Sequence, residues 1–449
     1  MDTKTFYEER DSRTLKLAEK TDYRNKRVLV AVDEETAKTF NGQIMTMTLL
    51  NLLSRFCRNI SLLCDDDVKT VFIPRRFYDQ NFPSALLHML RSIDPFGKFR
   101  LVNSDKGDYD EILAVGEPQL SRNPDFGIDS DGWLSYLSKS KTVHPLKKRR
   151  PNPIGASASA CIATGETFKN MLGIDVGIED NICFSTFDYS IEATEPVNPN
   201  LPSSIDIGYI QVVGCGALAS GVIFFLSMLP VKGRATLIDY DLVELSNLNR
   251  CPTFTTSDVG KMKVDALTDF LTGTHIKIES FPGKYSEFVD KHGAGYPDMV
   301  LSLVDRNRPR HEIQMNMPSL ILYAATGEWT FSIGRHKALE DDCHICRFPD
   351  VERDNGECAT VRITPLISPE VKEEFAASVS FVSSTAALFL VSELLKIRLF
   401  GRSPTKNFLQ LDMSLPLQKI RQYQRKRSKG CVCTETWFQE AYRRRLNLF

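Results

Sequence analysis

Apolar residues in this chain fall into short runs closed by glycine or a carboxylate, and one succession of such runs occurs twice. RVLVAVD (Arg27 to Asp33) predicts a buried strand, QIMTMTLLNLLSRF a helix, NISLLC a second strand and EILAVG (Glu111 to Gly116) a later one. Further on, IQVVG, ALASGVIFFLSML, ATLID and MVLSLVD give strand, helix, strand and later strand at comparable spacing. Strands alternating with helices predict parallel, Rossmann-like sheets, so the chain reads as α/β with an internal duplication. NPIGASASACIATGETFKNMLG predicts a long packing helix, with Gly155, Ala156 and Ala158 permitting close approach, and ASVSFVSSTAALFLVSELLKI a second buried one. FSTFDYSIEATEPVNPNLPSSID, rich in Pro, Ser and Asn, reads as a linker. FPDVERDNGECATVRITPLISPEVKEEF has no periodicity, and an irregular stretch of that length usually carries function.

The two halves differ in their chemistry. In the second, Ile210 to Val213 run into Gly214 and Gly216 before a helix opened by Ala217, so the backbone can approach a phosphate beside free N–H groups. A later strand ends at Asp239, where a carboxylate can take a ribose hydroxyl. Asn247, Arg250, Lys261 and Lys263 follow closely. A hydride-transfer enzyme has no need of that cluster, which disfavours a dehydrogenase. A triphosphate does need it, because Arg and Lys neutralise charge developing at an attacked phosphorus. The first half has VDEETAKTFNGQ in place of the glycine loop and cannot hold a triphosphate in the same way.

Length and composition fit a large enzyme: 449 residues predict two or three domains, and 42% apolar residues suffice for substantial cores. The net charge of −1 names no partner. No apolar run is long enough to predict a membrane span, and MDTKTFYEERDSR is too polar for a signal peptide, so a cytoplasmic protein without a membrane partner is expected. The basic tail from Lys419 reads as a solvated face, and a nucleic-acid partner is disfavoured. Among eleven cysteines, Cys57, Cys64 and Cys161 read as small buried hydrophobes.

LIDYDLVELSNLNR followed by GKMK closely resembles the adenylating fold of MoeB, ThiF and the ubiquitin-activating enzymes, which activate the C-terminal glycine of a ubiquitin-like protein. The resemblance implies that Gly214 and Gly216 carry ATP, Asp239 the ribose, and Asn247, Arg250 and Lys263 the phosphates. Asp305, in MVLSLVDRNRPRHEIQ, stands where the family holds magnesium, with Arg310 at the family's spacing. The third glycine of the loop is Ala219 here, a site that mainly needs a small residue. Such enzymes need two copies of the fold, in one chain or in a homodimer. The resemblance therefore implies an inactive pseudo-adenylation domain over 1–190, a linker over 191–207, an active nucleotide-binding part over 208–346, a crossover loop over 347–375 and a C-terminal part over 376–449. In this family an arginine from the opposite half commonly reaches the phosphates; Arg10 and Arg13 are candidates.

The remaining chemistry lies in cysteines. Cys343 and Cys346 form a CxxC and Cys431 and Cys433 a CxC, together able to give four thiolates to a structural zinc. The family often has CxxC in both places, so the second pair is one residue short. Cys358, in DNGECATVR, has polar neighbours and is expected to be an exposed, nucleophilic thiol. It lies where the thiolating members keep their catalytic cysteine; Cys215 and Cys251 are weaker rivals. The function implied is ATP-dependent adenylation of a ubiquitin-like protein, thioester formation on Cys358 and transfer to a conjugating enzyme, as in bacterial conjugation operons of the Bil antiphage type. The alternative is a sulfur-carrier adenylyltransferase of the molybdopterin, thiamin or tRNA-thiolation kind.

Overall fold

The computed structural model describes residues 2–17, 22–143, 150–174, 177–178, 180–349, 377–417 and 420–447. The first sheet is built from β1 (Arg27–Val32), β2 (Asn59–Leu63), β3 (Lys98–Val102), β4 (Glu111–Val115), β5 (Phe126–Asp131), β6 (Leu134–Lys139) and β7 (Ile182–Ser185). The second has β8 (Ile205–Val213), β9 (Val231–Ile238), β10 (His275–Phe281), β11 (Met299–Ser302), β12 (Leu320–Thr326), β13 (Thr330–Lys337), β14 (Phe408–Asp412) and β15 (Arg421–Tyr423). Their strand orders are β3-β2-β1-β4-β5-β6-β7 and β10-β9-β8-β11-β12-β13-β14-β15. In each, the first five strands of that order run parallel and those beyond are antiparallel. The duplication expected from the apolar runs is thus a repeated topology. β1 is buried from Val28 to Val32 because a central parallel strand is covered on both faces, which is why it reads as an unbroken apolar run.

Four helices form the layer the sheets share. Phe40–Leu53 is capped by Thr39, whose hydroxyl oxygen accepts from the Gly42 N–H at 3.0 Å, and is buried on every side from Asn41 to Leu53. It packs on Pro153–Leu172, which packs on Ser380–Phe400, which packs on Ala217–Leu226. Pro153–Leu172 lies against β5 and β6, and Ser380–Phe400 against β8, β12 and β13. The Phe168 ring joins the halves, 4.9 Å from Phe56 and 5.6 Å from Phe381. Close approach at Gly155 is strict: a Cβ there would lie 2.3 Å from the Gly132 carbonyl oxygen. Ser380–Phe400 corrects one expectation, since by length and composition it can cross a membrane; 94% of its most apolar window is buried inside the protein. A helix enclosed by two sheets needs the same composition as one enclosed by lipid.

A group of polar contacts from the first half ends on one loop of the second. Arg55, at the C-terminal end of Phe40–Leu53, is fully buried and donates through Nη1 to the Leu248 carbonyl at 2.6 Å and through Nη2 to that of Pro252 at 2.9 Å. Its Nε donates to Asn51 Oδ1 at 2.9 Å, and Asn51 Nδ2 donates to the Pro252 carbonyl at 3.1 Å. Burial pulls the Arg55 guanidinium down to about 9, so it remains charged at neutral pH. Arg76 adds a bond to the Thr253 carbonyl at 3.0 Å and an ion pair with Asp258 at 3.0 Å. Replacing Arg55 by Met keeps the bulk and strands the Leu248 and Phe254 carbonyls, each worth about 1–3 kcal/mol when left unpaired, while Pro252 keeps the Asn51 amide. Arg55→Met should therefore shift chemical denaturation by about 2–4 kcal/mol, and a shift below about 0.5 kcal/mol would show that the loop does not depend on these donors.

Candidate functional site

β8 delivers its end to the glycine loop. Gly214 has φ +90°, and a Cβ there would sit 2.8 Å from the Leu303 carbonyl oxygen, so only glycine fits. Gly216 precedes the Ala217–Leu226 helix, and no atom lies within 4 Å of where its Cβ would be. The helix N-terminus therefore opens onto free space. Asp239, one residue past β9, closes the floor: its carboxylate accepts from the Cys215 N–H and, at 2.8 Å, from the Asp241 N–H. Burial pushes the Asp239 carboxyl up, opposed by those two bonds. Cys215 is buried, which raises its thiol well above the usual range, and it is a poor nucleophile.

The SNLNR stretch forms the facing wall. Asn247 is committed in part to its own turn, its Oδ1 accepting from the Glu244 N–H at 3.0 Å. Arg250 is buried and donates to the Ser246 carbonyl at 2.7 Å and Asn249 Oδ1 at 2.8 Å, with no ion pair among the described residues. Desolvation pulls it down to about 10. Lys263 opens the Lys263–Phe270 helix and pairs with Asp241 at 2.7 Å. Burial pulls Lys263 down, but the Asp241 bond together with the charges of Asp239 and Asp241 outweighs it and holds the ammonium above its ordinary range. Lys261 turns outward to Asp258 and Asp269, each at 3.2 Å, so the structure removes it from the cluster. Burial raises the Cys251 thiol, against the nearby charges of Arg250, Arg55, Lys263 and Arg13.

That list separates the two N-terminal arginines. Arg10 is fully buried and paired with Asp11 and Asp94, both at 2.6 Å, so it does not reach the site. Arg13 is half-buried, its charge acts on Arg250, and its neighbour Thr14 accepts from Asn249 Nδ2 at 3.0 Å. The N-terminal segment thus brings a further cation to the wall.

Asp305 is exposed beyond β11, just before the Asn307–Met315 helix. Arg310, on that helix, is buried with its guanidinium 4.0 Å over the Phe348 ring and Nη1 donating to Asn307 Oδ1 at 3.3 Å. Its Nε has no partner, and it has no ion pair among the described residues. Desolvation lowers Arg310, opposed first by Asp305. Two buried guanidiniums with no ion pair among the described residues and an open helix N-terminus give this face the character of an anion-receptive surface.

The four cysteines form a separate centre. Cys343 and Cys431 have sulfurs 3.4 Å apart, Cys346 and Cys433 3.4 Å, and Cys343 and Cys346 3.7 Å. All four are buried and their sulfurs lie within 4.8 Å of one another. Tetrahedral Zn–S bonds of about 2.3 Å place sulfurs about 3.8 Å apart, so the set has the dimensions of one metal site. The short second pair is accommodated because the Val432–Thr434 turn follows Cys431 directly and brings both sulfurs inward. Hydrogen bonding among the thiols, with Cys343 foremost, holds Cys346 and Cys431 toward thiolate. Cys358 lies outside the described residues. Sequence reasoning missed Arg55, Thr14 and Asn249; an arginine closing an otherwise apolar helix is the one signal that marks Arg55 as a buried donor.

Comparison with known proteins agrees with this geometry. Residues 198–433, more than half of the chain, match the ThiF family, and residues 27–186 match the BilD N-terminal domain. Uncharacterized protein y4jF of Sinorhizobium fredii is 27% identical over 71% of this chain and 59% of its own length. Adenylyltransferase and sulfurtransferase UBA4 of Eremothecium gossypii is 24% identical over 50% of this chain and 49% of that protein. The sulfur carrier protein ThiS adenylyltransferase of Escherichia coli is 27% identical over 34% and 63%. The chain thus spans less than two thirds of each of these relatives. Among solved structures, E. coli MccB has a TM-score of 0.40 at 17% identity, covering 51% of this chain and 67% of that one. On the ThiF match over more than half of its length, the chain belongs to the ThiF family.

Proposed function

We propose that this chain activates a ubiquitin-like protein: it adenylates the C-terminal carboxylate with ATP, takes the acyl group onto Cys358 as a thioester and passes it to a conjugating enzyme. The observation that carries this reading is the grip of the first half on the SNLNR wall and the loop after it, through Arg55, Arg76 and Thr14. A second copy of the fold supports the site from within the same chain. Residues 1–190 serve as the pseudo-adenylation domain, 208–346 as the nucleotide-binding part and 347–375 as the crossover loop. The BilD N-terminal match favours a Bil-type conjugation operon, the antiphage setting implied by the sequence resemblance.

ATP rests on Gly214 and Gly216, with its ribose on Asp239 and its phosphates against Asn247, Arg250 and Lys263. Magnesium, with Asp305 as ligand, supplies charge neutralisation at the phosphate oxygens. The carboxylate attacks the α-phosphorus, the α–β bridging bond breaks, and pyrophosphate leaves an acyl adenylate. Arg250 and Arg310, which form no ion pair among the described residues, compensate the charge that builds there. The Cys358 thiolate then attacks the acyl carbon and AMP departs, leaving a thioester. Cys343, Cys346, Cys431 and Cys433 hold one structural zinc, and a reducing cytoplasm suits four unlinked thiols. The UBA4 and ThiS-adenylyltransferase relatives favour a second reading, in which the acyl adenylate is the end product and serves sulfur transfer.

Three measurements test these assignments. Asp305→Ala should lower ATP–pyrophosphate exchange by at least about 100-fold, and near-normal exchange would remove its magnesium role. Purified protein should carry about one zinc per chain, and Cys343→Ser should lose both zinc and thermal stability; metal analysis without zinc would dispose of the site. Cys358→Ala should still release pyrophosphate with a ubiquitin-like partner yet form no adduct that thiol reductant cleaves. A reducible adduct in that variant would move the nucleophile elsewhere, and a wild type that adenylates without ever forming one would favour the sulfur-carrier reading.

A further inference from the structure

One buried amide joins the cysteine cluster to the nucleotide side of the fold. Gln314, on the Asn307–Met315 helix, is fully enclosed. Its Oε1 accepts from the His344 N–H at 3.0 Å, and His344 is the residue between Cys343 and Cys346 that follows the first sulfur. Its Nε2 donates to Tyr442 Oη at 3.2 Å and to His336 Nε2 at 3.3 Å. Tyr442 stands on the Thr436–Arg445 helix, which follows the Cys431 and Cys433 turn, and its hydroxyl donates on to the Pro318 carbonyl at 2.7 Å. His336, on β13, uses Nδ1 toward the Asp342 carbonyl at 2.8 Å, which leaves Nε2 as the acceptor. Burial pulls His336 down to about 4, consistent with a neutral ring in that role. Every hydrogen-bonding atom of the Gln314 amide is therefore engaged, and the three partners come from both cysteine turns and the sheet between them.

The same helix face is held a second time. Arg310 lies one turn earlier, and its guanidinium stacks at 4.0 Å on Phe348, whose N–H donates to the His344 carbonyl at 2.8 Å. The first cysteine turn thus seats the helix at both Arg310 and Gln314. The geometry points to Gln314 as a positioning residue that transmits the folded state of the four-cysteine cluster to the Asp305–Arg310 end of the nucleotide site. A helix fixed at two points one turn apart cannot rotate or slide, so the directions of Arg310 and of the Asp305 turn follow the cluster's shape. When the cysteine turns are not closed on a metal, His344 and Tyr442 lose their fixed places and the helix loses its seat. This inference rests on the reading that Asp305 and Arg310 serve ATP.

The test uses the full-length protein with Gln314→Met, which keeps the side-chain length and removes all three bonds. Metal content, hydrogen exchange of the 307–315 amides and the KM and kcat for magnesium-ATP in pyrophosphate exchange are measured together. Expected are unchanged metal content, faster exchange confined to 307–315 and a KM raised about tenfold, the scale typical of partners behind a metal site. Chelation of the wild type should loosen the same amides. Unchanged protection and KM with the metal retained overturn the proposal; so does loss of activity in strict proportion to loss of metal, with normal protection in the loaded fraction. If Gln314→Met does not fold, Tyr442→Phe, which leaves the His344 bond intact, should give the same pattern at smaller size, and a Tyr442→Phe protein with wild-type protection and KM overturns the proposal. Asp305→Ala in the same assays separates the two readings. Normal exchange activity in Asp305→Ala beside a loosened helix in Gln314→Met rejects the ATP site and keeps the coupling.

Discussion

The loop from Leu248 to Phe254 follows the 3-10 turn Leu245–Asn247 and has no strand partner, so its carbonyls need donors from outside. Arg55 and Asn51 supply them from the other half of the chain. Much depends on that contact. Because the donor is a guanidinium, the loop is held with a positive charge beneath it, and Arg250, Lys263 and Arg13 gather around the same Cys251. Like charges buried together oppose one another, and an acid could relieve them. Among the described residues Arg250 has no ion pair, although the charge of Glu244 acts on it, and Asp241 is engaged by Lys263. The relief is left for an anion from outside, and its charge then determines how firmly it is held. On the proposed reading, support for the loop and affinity for a polyphosphate are two results of one arrangement.

Local chemistry was legible in the sequence; long-range pairing was not. A phosphate loop needs its glycines and helix start contiguous, so Gly214, Gly216 and Asp239 could be read from spacing. The cysteine cluster could be read too, because two close pairs are needed to bring four sulfurs together. Arg10 and Arg13 were indistinguishable because they differ only in what the fold sets beside them: Asp94 for one, Arg250 for the other. Lys261 looked equivalent to Lys263 for the same reason, until Asp258 and Asp269 drew it outward. Gln314 offered no signal, since a lone glutamine on a polar helix reads as surface. The Ser380–Phe400 helix exceeded the expected apolar length because burial on all sides, not amphipathic packing, sets its composition.

The repeated topology makes the difference between the halves a matter of side chains. After β8 come Gly214 and open space; after β1 comes Asp33, whose carboxylate already accepts from the Thr36 N–H at 2.8 Å and its hydroxyl at 2.7 Å. Glu34 and Glu35 follow, so the helix start that would receive a phosphate presents acids instead. The remaining room is filled as well, because a Cβ on Gly116, beyond β4, would lie 2.3 Å from Thr36 Oγ1. An acidic, filled loop opposes an anion, so on the proposed reading the helix after it has no duty to a ligand. Phe40–Leu53 can then be buried all round, its Asn41, Gln43 and Asn51 included, and lead to Arg55, an arrangement suited to supporting the other half's site. On the proposed reading the unit after β1 carries both features: acids close its loop from Asp33 to Glu35, and the Phe40–Leu53 helix beyond, capped by Thr39, leads to Arg55 and its bond to the Leu248 carbonyl.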